Sequence, residues 1–476
     1  MRTPILGSTY IARSVNAAAS RMVNLFPEIV PEGGKQPAFL NRAPGLRLLA
    51  TIGNGPIRGL WTFGGKGYVV SGNSLYQINT SYTATLLGTV AGGGQVSMSD
   101  NGTQLFVACN GPSYIYNKST GVFQQITDSD FPGATKVSYL DGYFVFNEPN
   151  SQKIWITSLL EGTEVDALDF ASAEGSPDGV VGIESDHREI WVFGEDSLEV
   201  WYDAGTADFP LQRIQGAFNE IGCASAYSIV KLDNGLFWLG KDARGGGVVY
   251  RTNGYTGQRI STHAVEWQLQ QYSTISDAIA YAYQQDGHSF YVLTFPGANA
   301  TWVYDVSTGA WHERAAFSNG SFVRHRSNCH MFFNNENIVG DFENGKIYAL
   351  DLDMFSDNGT AQKWLRSWRA LDTGANNLKR SAHHSLQLDC DSGVGLNSGQ
   401  GSDPQVMLRW SDDGGHTWSN EHWTKIGKIG QYGYRAFWRR LGMTLKLRDR
   451  VYEVSGTDPV KIVILGAELH ASGTNG

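Results

Sequence analysis

Residues 67–80 read GYVVSGNSLYQINT: an aromatic and β-branched run, a Gly-Asn turn, and a second run carrying Tyr76. Gly and Asn adopt the backbone conformations that tight turns require, so this stretch predicts two antiparallel strands. The same phrase returns along the chain. QLFVACN begins at Gln104, GYFVFNE at Gly142, EIWVFGE at Glu189, GLFWLGK at Gly235, SFYVLTF at Ser289 and HMFFNNE at His330. Each is followed by a second run, beginning at Ser113, Lys153, Leu198, Val248, Thr301 and Lys346, and all but the one with Trp155 contain Tyr. Upstream of each pair lies a smaller strand, as in GPIRGLWTFG, GQVSMSD, TKVSYLD, GVVGIES, AYSIVKL, AIAYAYQ and SFVRHRS. From Tyr68 through Phe106, Phe144, Trp191, Phe237 and Phe290 to Phe332 the steps are 38 to 53 residues.

A four-stranded unit cannot bury both of its faces alone, whereas packing such units around an axis covers them and limits exposed edges. A repeat of this length therefore predicts an all-β fold, a β-propeller of about seven blades (six to eight fit the spacing) over residues 51–358. A linear sandwich array or a solenoid is the alternative architecture. The segment around residues 40–60 is placed to lend a closing strand to the ring. Residues 1–50, rich in Pro, Asn and Gly, read as an irregular N-terminal arm. The period breaks near residue 359, and SLQLD, QVMLRWS, MTLKLRD and VKIVILGAELHA predict a C-terminal β-sandwich over 359–476.

Composition agrees with this class. Aromatics make up 12% and charged residues 17%, with 57 glycines, which argues against long solvated helices and against disorder. The net charge of −9 excludes a wholly cationic sleeve for nucleic acid. Arg435, Arg439, Arg440 and Lys446 to Arg450 form the nearest approach to a basic patch, with a solvated domain rim as the plainer reading. Cys109, Cys223, Cys329 and Cys390 are scattered without CxxC spacing and read as free thiols. The N-terminus lacks the apolar run of a signal peptide, and no stretch of 18 apolar residues predicts a membrane helix.

Few residues carry a chemical signature. Ser411-Asp412-Asp413-Gly414-Gly415-His416-Thr417-Trp418 fits S-x-D-x-G-x-T-W, the Asp box that resembles repeated turns of sialidases, where it lies on the blade periphery away from catalysis. It reads as a self-bonded hairpin. Asp128 with Asp130, Glu184 to Glu189, and Asp351 with Asp353 are acidic groups at turns, where Asp caps loops. His383 with His384, and His325 with His330, lack metal-ligand spacing. The triplets Gly92–Gly94 and Gly245–Gly247 have no following helix to make a phosphate cradle. No catalytic, cofactor-binding or metal-binding residue is assigned, no cofactor is expected, and the chain is expected not to be an enzyme.

Longer stretches carry a resemblance. SPDGVVGIESDHREIWVFGEDSLEVWYDAG (176–205), GHSFYVLTFP with TWVYDVSTGAW (287–311), and YGYRAFWRRLGMTLKLRDRVYEVSG (432–456) are similar to segments of the packaged-DNA stabilisation proteins of short-tailed Salmonella phages. ASRMVNLFPE and PAFLNRAPGL near the N-terminus resemble the opening of such tail proteins. The resemblance implies a tail hub or nozzle subunit in a homohexameric ring below the portal and adaptor (head-to-tail connector) proteins. Such a ring would extend the DNA channel, help retain packaged DNA, and dock the tail needle, tailspikes or fibres. Double-stranded DNA would pass through without sequence-specific binding, and the protein would be a virion component assembled in the host bacterial cytoplasm. Trp410, Trp418, Trp423 and Trp438 are candidates for contacts between subunits, or for an ordinary sandwich core. A receptor-binding, lectin-like propeller and a glycosidase at the tail tip are the alternative functions.

Overall fold

The computed structural model describes residues 1–15, 18–173, 175–206, 209–242, 244–371, 380–444 and 450–473. Seven antiparallel blades follow one another, at 57–89, 97–125, 137–172, 180–219, 222–259, 279–313 and 327–351. Their hairpins form where the sequence supplies residues that tolerate positive φ. Asp141-Gly142, Asp233-Asn234, Asp286-Gly287 and Asn334-Asn335 all have φ above 40°. The recurring aromatics join neighbouring blades. Tyr68 meets Tyr116 at 5.6 Å between ring centroids, Phe106 meets Phe144 at 5.4 Å, Phe193 meets Trp238 at 5.4 Å and Phe237 meets Tyr291 at 5.6 Å. Such edge and tilted pairs add to the area they bury, so the repeat of aromatic runs is a repeat of inter-blade contacts.

The seventh blade departs from the sequence reading. HMFFNNE, expected as its middle strand, ends the innermost strand Ser327–Phe333, and Glu336–Asp341 is the middle strand. SFVRHRS, expected as the innermost strand, supplies Ser321–Arg324, which pairs with Ala315–Ser318 in a separate hairpin. This inserted hairpin shifted the expected register by one strand. The outermost strand of the blade is Gly45–Thr51, antiparallel to Lys346–Asp351 with Leu46 opposite Leu350. Gly45 is needed there because a Cβ would lie 2.3 Å from the Met354 carbonyl oxygen. The ring is thus closed by chain segments 300 residues apart.

Residues 1–42 also differ from the irregular arm that was expected. Arg2–Thr3 pairs with Val463–Gly473, and the hairpin Leu25–Ile29 with Ala38–Arg42 adds to the same sheet. Its order runs from Ala436–Met443 through Ser381–Cys390, Val463–Gly473 and Ala38–Arg42 to Leu25–Ile29. The opposing sheet contains Trp364–Arg369, Val451–Gly456, Gln405–Ser411 and His422–Lys425. Between them lie Leu25, Leu40, Trp364, Trp368, Leu386, Leu408, Tyr452 and Leu469, all nearly inaccessible. These N-terminal strands are two to five residues long, too short to show a period in sequence.

The sandwich is joined edge to edge to the propeller. Met22–Val23 pairs with Trp364–Arg369 on one side and, at Val23 opposite Glu313, with the outermost strand of the sixth blade on the other. Arg21 holds Glu313 at 2.8 Å across this seam. Phe26 packs against Phe290 at 5.4 Å, inserting a sandwich residue into the core between the sixth and seventh blades.

Candidate functional site

The seven innermost strands converge on an axial cavity of about 500 Å³ lined from every blade. Its walls are tied together by polar groups. Lys136 faces Glu184 at 3.6 Å, and Ser138 donates to the same carboxylate at 3.3 Å. Lys231 donates to the Ser185 carbonyl, Gln95 to the Asn328 carbonyl, and Asn328 to the Ile57 carbonyl. Arg58 donates to the carbonyls of Gly72, Ala91 and Gly94 at 2.9, 3.2 and 2.6 Å. A sialidase-like centre would use three axial arginines to grip a carboxylate. Among the described residues Arg58 is the single arginine lining this cavity, and its donors are spent on backbone. The walls around the axial cavity are therefore interlocked by hydrogen bonds between blades.

The Asp box is a closed turn. Ser411 Oγ donates to Asp413 Oδ1 at 2.6 Å and accepts from the Gly415 amide at 2.8 Å. The Asp413 carboxylate also accepts from the amides of His416 and Thr417 and from the Thr417 hydroxyl. These donors hold its carboxyl well below the usual carboxylate range. The adjacent Asp412 forms a two-pronged pair with buried Arg450 at 2.6 and 2.9 Å. Every acceptor direction is used locally, so the box stiffens the turn between Gln405–Ser411 and His422–Lys425. Asp413→Ala is expected to destabilise the chain by about 1 kcal/mol through the lost turn hydrogen bonds, since water can take over their exposed donors. Urea unfolding measures this, and the variant should keep its far-ultraviolet spectrum.

The other singled-out residues are dispersed. His383 is buried with Nδ1 at 2.7 Å from the Tyr452 hydroxyl and Nε2 at 3.0 Å from Ser381. His384 is exposed, beside Ser472 and 5.0 Å from the His470 ring. His325 is buried against Ser327, and His330 bonds Asn337. No group of three metal-ligating side chains occurs among the described residues. Asp128 accepts from the Val165 amide, Asp186 pairs with His187 and Lys231, and Asp351 pairs with Arg47 at 2.7 Å. Burial raises the thiols of Cys109 and Cys223 to about 11, which leaves them protonated and unreactive at neutral pH.

Arg435, Arg439 and Arg440 lie in or next to the strand Ala436–Met443, whereas Lys446 and Arg448 fall outside the described residues. Of the four tryptophans, Trp438 is buried, Trp410 and Trp418 are half-buried, and Trp423 is exposed. Trp418 receives the Arg409 guanidinium over its ring at 4.7 Å. The surface residues missed in the sequence are Leu159, Leu160, Leu168, Ile429 and Tyr432, all more than half exposed. Their exposure carries no periodic signature, because each stands in a loop.

The Bacteriophage P22 Gp10 β-propeller family matches residues 1–355, and the Bacteriophage P22 Gp10 β-sandwich family matches residues 363–472. The chain belongs to the P22 Gp10 family. The tail hub protein gp10 of Salmonella phage P22 is 22% identical to it over 411 residues, 83% of each chain. Two solved structures are similar at low identity. The extracellular domain of the putative hybrid two-component system BT4673 from B. thetaiotaomicron gives a TM-score of 0.45 at 11% identity, covering 86% of this chain and 58% of that one. A chain of the mitotic checkpoint complex gives 0.40 at 13%, covering 68% and 97%. The order of the family, propeller then sandwich, is the order of the domains here.

Proposed function

We propose that this chain is a structural subunit of a phage tail hub, assembling with copies of itself into a ring that continues the portal channel. The family match over both domains, in the same order, is the observation that carries this reading. The ring helps retain packaged DNA and offers docking surface to the portal and adaptor above and to tailspikes, fibres or a needle below. Assembly takes place in the host cytoplasm before incorporation into the virion.

The axial cavity supports a conduit formed between subunits. At about 500 Å³ it has the size of a small-molecule pocket. It cannot pass a duplex whose major groove alone is about 12 Å wide. DNA therefore runs along the outside of each propeller, bounded by neighbouring copies. The net charge of −9 suits a wall that phosphates should slide past without tight contacts. Cryo-electron microscopy of the purified chain with portal and adaptor is expected to show a ring below them. The assembled ring should bind duplex DNA weakly at physiological salt. A monomer that engages no portal or adaptor, or tight salt-dependent DNA binding, overturns the proposal.

A further inference from the structure

The blade-3 loop 157–169 presents apolar surface to solvent. Leu159, Leu160 and Leu168 are 60%, 61% and 80% exposed. The loop is firmly held, because Gln104 bonds Glu161 and accepts from the Gly162 amide, and Asp128 accepts from the Val165 amide. Leu160 has φ 59°. Among the described non-glycine residues at positive φ, all are Asn or Asp except Tyr82, Leu160, His187, Arg188 and Arg440. A leucine in this conformation costs energy that glycine would relieve, which marks its side chain as worth retaining. The loop carries Glu161, Glu164, Asp166 and Asp169 and no lysine or arginine. Burial, with the nearby Asp166 charge adding to it, raises the Asp169 carboxyl.

The far edge of the sandwich offers the complement. A groove of about 670 Å³ lies beside the strands Ser381–Cys390 and Ala436–Met443, lined by Met443 and by Phe437 with the Arg439 guanidinium over its ring at 4.8 Å, and flanked by His384 and Arg440. Arg439 and Arg440 are exposed and form no ion pair among the described residues. Arg440 has φ 61° and sits where the register shifts opposite His384, a bulge that redirects side chains. Ala436–Met443 is the sheet edge remote from Leu25–Ile29, the strand that touches the propeller. Because the sandwich meets the ring at the sixth and seventh blades, the third blade lies diametrically opposite it.

We infer that the acidic leucine loop of one copy docks into the basic apolar groove of the next. The inference rests on the ring proposed above and names its interface. Apolar knob meets apolar floor, acidic rim meets arginines, and the two faces stand at opposite ends of the subunit. A heterologous contact of this kind propagates head to tail and closes a ring if the rotation permits. Opposite charges also steer the encounter and reject misaligned copies.

The test measures oligomer mass by light scattering across concentration, with circular dichroism to verify folding. Glu164→Lys with Asp166→Lys, Arg439→Glu with Arg440→Glu, and Leu160→Asp with Leu168→Asp are each expected to raise the half-assembly concentration about tenfold or more. Combining the two charge reversals should restore assembly. Separately, Leu168→Cys mixed with Met443→Cys should give an oxidised cross-linked dimer that neither gives alone. A ring that persists unchanged in all three variants and yields no cross-link overturns this interface while leaving the ring standing. A wild-type chain that stays monomeric with portal and adaptor present overturns both.

Discussion

Arg42→Met is expected to destabilise the chain by about 3–5 kcal/mol, the scale for stranding buried charge-bonded partners. Arg42 ends the strand Ala38–Arg42, just before the chain leaves the sandwich to enter the seventh blade. Its Nη1 donates to the carbonyls of Asp458 and Val460 at 2.7 and 2.8 Å. Its Nη2 donates to the carbonyls of Phe355 and Gln362 at 3.0 and 2.5 Å, and Nε to the Gln362 side chain at 3.2 Å. Residues 355–362 are the return crossing from propeller to sandwich. One guanidinium therefore ties both crossings to a sandwich loop. Burial lowers it to about 10, which still leaves it charged at neutral pH.

Methionine matches much of the volume but leaves four carbonyls without this donor in a buried place. Each unsatisfied buried acceptor costs about 1–3 kcal/mol, less whatever relaxation recovers. Arg42→Lys supplies at most three donors from a point charge and should recover part of the loss. Equilibrium unfolding in urea measures both variants. A loss below about 1 kcal/mol for Arg42→Met would show that the junction is held by its apolar contacts instead.

Acidification is expected to produce the second large effect. His312, His325 and His383 are buried, and burial with nearby arginine charge lowers all three, His325 and His383 to about 3. In the unfolded chain a histidine binds its proton near pH 6.5. Their contribution is therefore complete above that value and is lost as pH falls toward the folded values. Asp357 works in the opposite sense. Burial raises it to about 7, so it binds a proton in the folded state first and gains stability as pH falls from 7 to about 4. Burial lowers His330 as well, to about 4, so four protons favour the unfolded state against one favouring the folded state, a net three worth at most about 4 kcal/mol per pH unit. The thermal midpoint should drop steeply between pH 6 and 4. His325→Gln should flatten that slope by one proton, and a midpoint that stays level to pH 4 would contradict the assignment of these residues as neutral.

The propeller was legible because its defining interactions are local. Each hairpin brings together residues a few positions apart, so Asp-Gly and Asp-Asn turns and alternating aromatics announce it without the rest of the fold. The Asp box was legible for the same reason, since Ser411 to Thr417 satisfy one another. The seventh blade was misread by one strand because the hairpin 315–324 carries similar residues but pairs only with itself.

Long-range partners were not legible. Residues 1–42 looked irregular because Arg2–Thr3 and Met22–Val23 become strands only beside Val463–Gly473 and Trp364–Arg369, more than 340 residues away. The same holds for the candidate interface. Leu160 and Arg440 are unremarkable letters in sequence, and their positive φ and exposure arise from the packing around them. Local turn chemistry and side-chain alternation thus determined the blades and the all-β class from sequence alone. Which strand closes the ring, how the sandwich is joined to it, and which charged and apolar surfaces face outward were decided by tertiary structure, because burial and pairing depend on residues hundreds of positions away.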